Sequence, residues 1–245
     1  MTAVILAAGR SSRMKAEIPK VLLALDGRPV LSHVIGAARA GGAGRVIAIV
    51  GAGHEAVRAA FAGESLEYAV QRQPRGTADA LLAGRELLAD EEECVVLCGD
   101  APLVRGETVR RLWQSRREAS ADVAVLTAEL ANPAGYGRIV RGEGASIEAI
   151  VEERDADGPT RRIREVNSGA YSFVWGRVRP VLETISPSPV SGEYYLTDAV
   201  RGIRAAGGRV VAVSAAGADE VLGINTPEQF ALVEAELAAR QGTGG

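Results

Sequence analysis

The chemistry-bearing residues of this chain begin at its first apolar run. Leu6, Ala7, Ala8 and Gly9 close that run, and Arg13, Pro19 and Lys20 follow. Small residues at a strand end let a ligand approach backbone N–H groups. Arg13 can clamp phosphate oxygens through two donors, and Lys20 adds a compact positive charge. Pro19 restricts the backbone before it. The segment has no G-K-[ST] and no G-x-G-x-x-G, so neither standard glycine-rich phosphate loop is present. A strand-to-loop turn with a solvated Arg and Lys is the alternative reading.

Two further clusters sit beyond other apolar runs. Gln71 follows Leu66–Val70 and can read a nucleobase edge. Gly76 allows close approach of the chain, and Thr77 suits the N-cap of the helix after it, which is also the plainer reading of the pair. Cys98-Gly99-Asp100 ends the run Cys94–Leu97. An Asp at a strand end is suited to Mg²⁺, which takes one or two carboxylates plus waters and phosphates. It also suits a turn cap. Gly135-Tyr136-Gly137-Arg138-Ile139, Glu152, Asn167-Ser168-Gly169, Gly192–Asp198 and Gly223-Ile224-Asn225 supply scattered donors and acceptors, as sugar hydroxyls require.

The elements that must position these groups alternate. Strands are predicted at Ala3–Ala7, Arg45–Val50, Leu66–Val70, Cys94–Leu97 and Asp122–Ala128. Helices are predicted at Pro29–Ala40, Gly53–Phe61, Thr77–Leu88 and Arg105–Ala119. This β-α alternation predicts a mostly parallel sheet covered on both faces, with ligands beyond the strands' carboxyl ends. After residue 130 the pattern changes. Ile139–Val151 and Asn167–Val174 read as strands, and Arg154–Arg164 as a polar loop. Helices follow near Val178–Ile185 and Glu193–Ala206, then a strand at Arg209–Val213. A last helix runs from Thr226-Pro227 to about Ala239. One domain over residues 1–240 and a frayed tail over 241–245 are expected.

Bulk composition narrows the class. The chain has 245 residues, 47% of them apolar, enough for a sizeable core. Its net charge is −3 with no long basic run, against nucleic-acid binding. It holds no 18-residue apolar stretch, so no membrane span is expected, and no secretory leader is read at its start. The two cysteines, Cys94 and Cys98, lie in one strand-like run and suit buried thiols in a reducing compartment, hence a cytoplasmic location. Two histidines cannot build a histidine-rich metal site.

These motifs, in this order, resemble those of the sugar-1-phosphate nucleotidyltransferases. Over about residues 3–235 the chain is most similar to the uridyltransferase part of bacterial N-acetylglucosamine-1-phosphate uridyltransferases. L-A-A-G…R-M…P-K is shared across that superfamily, whereas Gly135–Ile139, Ile150-Val151-Glu152 and Gly192–Asp198 are more specific. The resemblance implies a Rossmann-like three-layer α/β fold with a small β-rich sugar-binding part. It implies that Leu6, Ala7, Ala8, Gly9, Gln71, Gly76, Thr77 and Gly99 hold the nucleotide. Arg13 and Lys20 would act on the phosphates, and Asp100 and Asn225 would bind Mg²⁺. Gly137, Glu152, Asn167, Tyr195 and Thr197 would hold the sugar. UTP or another NTP and a sugar-1-phosphate would be the partners. The C-terminal β-helical acetyltransferase domain usual in those proteins is not expected here.

The chain departs from the pattern at Ser11, at Gln73-Pro74-Arg75, at Cys98 and mildly at Ser168. The first three changes lie near base and phosphates. Another base or acceptor (dTTP, ATP or CTP; glucose-1-phosphate or a cofactor precursor) therefore stands beside uridyl transfer. A catalytically silent nucleotide-sugar sensor is the reading from another class.

Overall fold

The computed structural model of the chain describes residues 1–9, 14 and 18–242. Arg13 and Ser11 lie outside them. The first half contains β1 (Thr2–Ala7), β2 (Ala24–Leu25), β3 (Arg28–Pro29), α1 (Val30–Ala40), β4 (Arg45–Val50), α2 (His54–Ala60), β5 (Glu67–Val70), α3 (Thr77–Ala83), β6 (Glu93–Cys98), α4 (Gly106–Glu118) and β7 (Val123–Glu129). The second half contains β8 (Arg138–Arg141), β9 (Ile147–Val151), α5 (Gly158–Arg161), β10 (Glu165–Val174), α6 (Trp175–Leu182), α7 (Asp198–Ala205), β11 (Val210–Ser214) and α8 (Pro227–Gly242).

The main path of the sheet runs β11-β7-β10-β6-β1-β4-β5. Neighbours are parallel except at β10, which runs antiparallel to both β6 and β7. Apolar residues on alternate positions of β1 feed opposite faces. Val4 packs with Leu81 of α3, Trp175 of α6 and Val200 of α7. Ala3 and Ile5 pack with Val34 of α1, Val57 of α2 and Leu112 of α4. Buried on both faces, these strands read as continuous apolar runs. The result is the three-layer α/β fold expected from the alternation.

The β8/β9 hairpin pairs with the first part of β10 and forms the smaller β-rich part. Its strands are separate, where the alternation over Ile139–Val151 reads as one. A 3₁₀ turn between them reverses the chain. Arg138, 1% exposed, fixes this hairpin: it donates to the carbonyls of Tyr136 and Arg161 and pairs with Glu153.

Other boundaries differ for local reasons. Pro29 belongs to β3 and precedes α1 rather than opening its first turn. Arg154–Arg164 contains α5, whose N-cap Asp157 accepts from Thr160 N at 2.8 Å. The helix predicted from Glu193 starts at Asp198, because residues 193–197 are drawn off to pair with other segments. The helix predicted to fray at Gln241 continues through Gly242, and Gln241 Nε2 donates to Asp26 Oδ2 at 2.9 Å. The small β2/β3 hairpin has no counterpart in the sequence reading. The signal for it is nonetheless there: Asp26-Gly27, both with positive φ, is the Asp-Gly pair favoured in two-residue turns. Among the described residues no helix is long and apolar enough to cross a membrane.

Candidate active site

The carboxyl ends of β1, β4, β5 and β6 share one edge because these strands are parallel. Two adjoining basins open there. One, of about 480 Å³, is lined by Leu6, Ala7, Ala8, Gly9, Lys20, Gln71, Gly76 and Thr77. The other, of about 310 Å³, is lined by Gly137, Glu152, Asn167, Ser168 and Thr197. Leu6, Thr77, Cys98, Asp100 and Asn225 line both. The two basins thus share a wall, and most of the residues singled out in the sequence line one or the other.

Three side chains meet at that wall. Lys20, 7% exposed, donates from Nζ to Asp100 Oδ2 and to Asn225 Oδ1, the latter at 2.8 Å. Gly9 lies against the Lys20 stem. Backbone bonds assemble the trio. Gly99 N donates to Leu6 O at 2.9 Å and sets the turn after β6 on the end of β1. Ile224 N donates to Asp100 O at 2.9 Å and places Asn225 beside Asp100.

Gly76 joins the larger basin to the segment before α7. Its φ is +117° with extended ψ, a region open essentially to glycine alone. A Cβ there would lie 2.3 Å from Tyr194 O. Tyr194 N donates to Arg75 O at 2.7 Å, and Ala78 N to Tyr194 O at 2.9 Å. Thr77 does not cap α3. Gly76 holds the N-cap position with no side-chain bond, and Thr77 Oγ1 instead accepts from Leu196 N at 2.9 Å. The hydroxyl thereby ties the two basins together.

At the smaller basin a break of register in β10 between Asn167 and Tyr171 shapes the floor. Gly169, at φ +79°, turns the chain there, and Cys98 Sγ donates to its carbonyl at 3.5 Å. Burial, then the neighbouring Asp100, pushes the Cys98 thiol up to about 12; Cys94 is likewise pushed up to about 12, first by burial. Both cysteines are free, Cys94 buried and Cys98 partly buried at the shared wall, and both thiols stay protonated. Asn167 Oδ1 accepts from Gly169 N at 3.1 Å, and Asn167 also bonds the fully buried Tyr171 hydroxyl. Thr197 Oγ1 donates to Glu152 Oε1 at 2.9 Å.

Glu152 is the strained member. Burial raises its pKa, the Thr197 bond partly opposes this, and Asp155, Asp198 and Glu193 add to the rise. A carboxylate whose folded pKa lies above its unfolded one destabilises the fold when ionised. That cost is full above the folded pKa and vanishes as pH falls towards the unfolded value. Glu152→Gln is therefore expected to raise Tm at pH 7, with the gain shrinking as pH falls through that window. Thermal melts from pH 4 to 8 check this; a gain unchanged across the series would show that ionisation of Glu152 is not its source.

Not every expected residue reaches the basins. Gly99 and Tyr195 are not among the described residues that line them; Gly99 instead donates its backbone N–H to Leu6 O, and the Tyr195 hydroxyl donates to Ser191 Oγ at 2.6 Å. Arg13 falls outside the described residues. Conversely, Tyr136 lines the smaller basin, its hydroxyl donating to Val221 O at 3.3 Å. Arg154 and Glu193, 3.6 Å apart, line the nucleotide side. Tyr136 sits inside the Gly-Tyr-Gly-Arg-Ile motif, which could have nominated it. Nothing local distinguishes Arg154 from a solvated cation.

Mg²⁺ fits this donor set. A carboxylate oxygen of Asp100 and the amide oxygen of Asn225 converge on one cation, the Lys20 ammonium. Among the described residues no group of three or more His, Cys, Asp or Glu could hold a metal by itself. Two protein oxygens completed by substrate phosphates and waters is the usual Mg²⁺ arrangement.

Comparison with known proteins agrees with this architecture. The bifunctional protein GlmU of Heliobacterium modesticaldum is 43% identical over 240 residues, covering 98% of this chain and 52% of that protein. GlmU of Syntrophotalea carbinolica is 43% identical over 241 residues with the same coverage. The chain thus spans about half the length of these relatives. A crystal structure of a UDP-glucose pyrophosphorylase complexed with UDP-glucose superposes with a TM-score of 0.81, covering 98% of each chain at 19% identity, so the fold is shared. Residues 3–167, which carry β1, Lys20, the Gln71–Thr77 segment and Asp100, match the MobA-like NTP transferase domain, and it is to this family that the chain belongs.

Proposed function

We propose that this chain is a sugar-1-phosphate nucleotidyltransferase that makes UDP-N-acetylglucosamine and pyrophosphate from UTP and N-acetylglucosamine-1-phosphate. The observation that carries this reading is the pair of basins meeting at Lys20, Asp100 and Asn225. Such a site could bring two anions together beside one ammonium, that of Lys20, with two oxygens next to it for a metal ion. The nucleophile is a phosphate oxygen of the sugar phosphate. Its second pKa is about 6, so at neutral pH it is largely ionised and no general base is required. It forms a bond to the α-phosphorus, the bond to the bridging α–β oxygen breaks, and pyrophosphate carries away the negative charge.

The protein's task is positioning and charge compensation. Lys20 faces the triphosphate from the nucleotide basin, and Arg13 is proposed as a second cation there. Asp100 and Asn225 would hold Mg²⁺, which when bound neutralises charge on the reacting phosphates. Gln71 and Gly76 would meet the base. Glu152, Asn167, Gly137 and Thr197 would meet the sugar, where acceptors and donors alternate as its hydroxyls and amide demand.

The test is pyrophosphate release across UTP, CTP, ATP, GTP and dTTP with several sugar-1-phosphates, in Mg²⁺ and in excess chelator. The expected result is highest kcat/KM with UTP and N-acetylglucosamine-1-phosphate, abolished by chelator. Release of no pyrophosphate from any pair, with nucleotide still bound, would overturn catalysis in favour of a sensor.

A further inference from the structure

We propose that Asp79 is the positioning residue that sets which nucleobase this site accepts, by fixing the amide of Gln71. The proposal rests on the reading of the Gln71 basin as the base site. Gln71, 6% exposed, follows β5, and its backbone N donates to Val50 O at 2.8 Å. Its side-chain Nε2 donates to Gly76 O at 3.0 Å and to Asp79 Oδ2 at 2.9 Å. Both partners are acceptors only, so the amide must turn its NH₂ towards them, and both amide hydrogens are used. What remains for a ligand is Oε1, an acceptor.

Asp79 is itself held. Arg75 Nε and Nη2 both donate to Asp79 Oδ1, at 3.1 and 2.5 Å, and the Arg75 guanidinium lies 5.6 Å from the centre of the Tyr194 ring. The chain Arg75–Asp79–Gln71 therefore carries orientation from the surface to the basin. An acceptor at the end of that chain selects a base whose facing edge bears an N–H. Uracil carries a hydrogen at N3, whereas cytosine has a lone pair there. The same contact that welcomes uracil opposes cytosine, and a polar site left unpaired discriminates strongly.

The test measures kcat/KM for UTP and CTP with one sugar-1-phosphate in the wild type, Asp79→Asn, Asp79→Leu and Gln71→Leu. The amide introduced by Asp79→Asn can turn either its oxygen or its NH₂ towards Gln71, which frees the glutamine amide to invert. Asp79→Asn is expected to lower the UTP:CTP ratio at least fivefold while kcat with UTP stays within threefold. Asp79→Leu should lower the ratio as far as Gln71→Leu does. A ratio changed by Gln71→Leu but kept within twofold by Asp79→Asn overturns the role of Asp79 and leaves Gln71 as base reader. A ratio untouched by Gln71→Leu overturns both. If Asp79→Leu fails to fold, the near-isosteric Asp79→Asn decides alone.

Discussion

Lys20→Ala is expected to lower kcat for pyrophosphate release at least tenfold, about 1.4 kcal/mol of barrier or more. Lys20 is buried against the larger basin, and its ammonium bonds Asp100 and Asn225, which line both basins. Removing it leaves the Asp100 and Asn225 oxygens facing one another with less positive charge between them. The two anionic substrates then repel where they must approach. Asp100→Ala should cost at least as much, by removing the carboxylate proposed to hold Mg²⁺ beside Lys20. Because both residues act on the same phosphates, the double variant should lose less than the sum of the two losses. Steady-state kinetics at saturating substrates measures this. Near-normal turnover in Lys20→Ala would remove Lys20 from the mechanism, and near-normal turnover in Asp100→Ala would remove the metal role assigned to that carboxylate.

Gly76→Ala is the second change with a large expected effect, and it acts through the backbone. Alanine must abandon φ +117°, at about 1–3 kcal/mol. Its Cβ would also lie 2.3 Å from Tyr194 O and 2.6 Å from Tyr194 N, neither of which is the end of a flexible side chain. The segment from Glu193 to Leu196 must shift, together with its bonds to Arg75 O, Ala78 N and Thr77 Oγ1. A loss of about 3 kcal/mol or more is expected, roughly 6–12 °C in Tm for a chain of this size. Because that segment borders both basins, KM should rise for nucleotide and for sugar phosphate together. A variant that melts within 2 °C of the wild type would show that the backbone relaxes around the new methyl at little cost.

Why the sequence is informative in some places and silent in others follows from range. Arg45–Val50 is a strand in the sequence and in the structure because Val and Ile in one continuous run suit burial on both faces. The alternation that announces the parallel sheet is likewise a local pattern. Thr77 misleads because a Thr before a helix has a local use as a cap. The structure spends its hydroxyl on Leu196, more than a hundred residues away. Nothing in the neighbourhood of Lys20 reveals that it will meet Asp100 and Asn225. Only the order of motifs along the chain, through the resemblance it supports, puts those three residues in one site. Arg75, at a departure from that resemblance, gains a meaning only when its pairing with Asp79 is seen.

The bond from Ile224 N to Asp100 O has a consequence for how the molecule comes into being. Lys20 and Asp100 could meet early, once β1 and β6 have paired, but Asn225 comes from near the far end of the chain. Closing so long a loop is among the slow events of folding. The Lys20–Asp100–Asn225 cluster is therefore completed only when contacts spanning more than a hundred residues have closed. A chain still emerging from the ribosome would carry Lys20 and Asp100 without Asn225 to complete the cluster. Binding of metal and triphosphate together would then report the finished protein, and a tightly bound pair would stabilise that state by mass action.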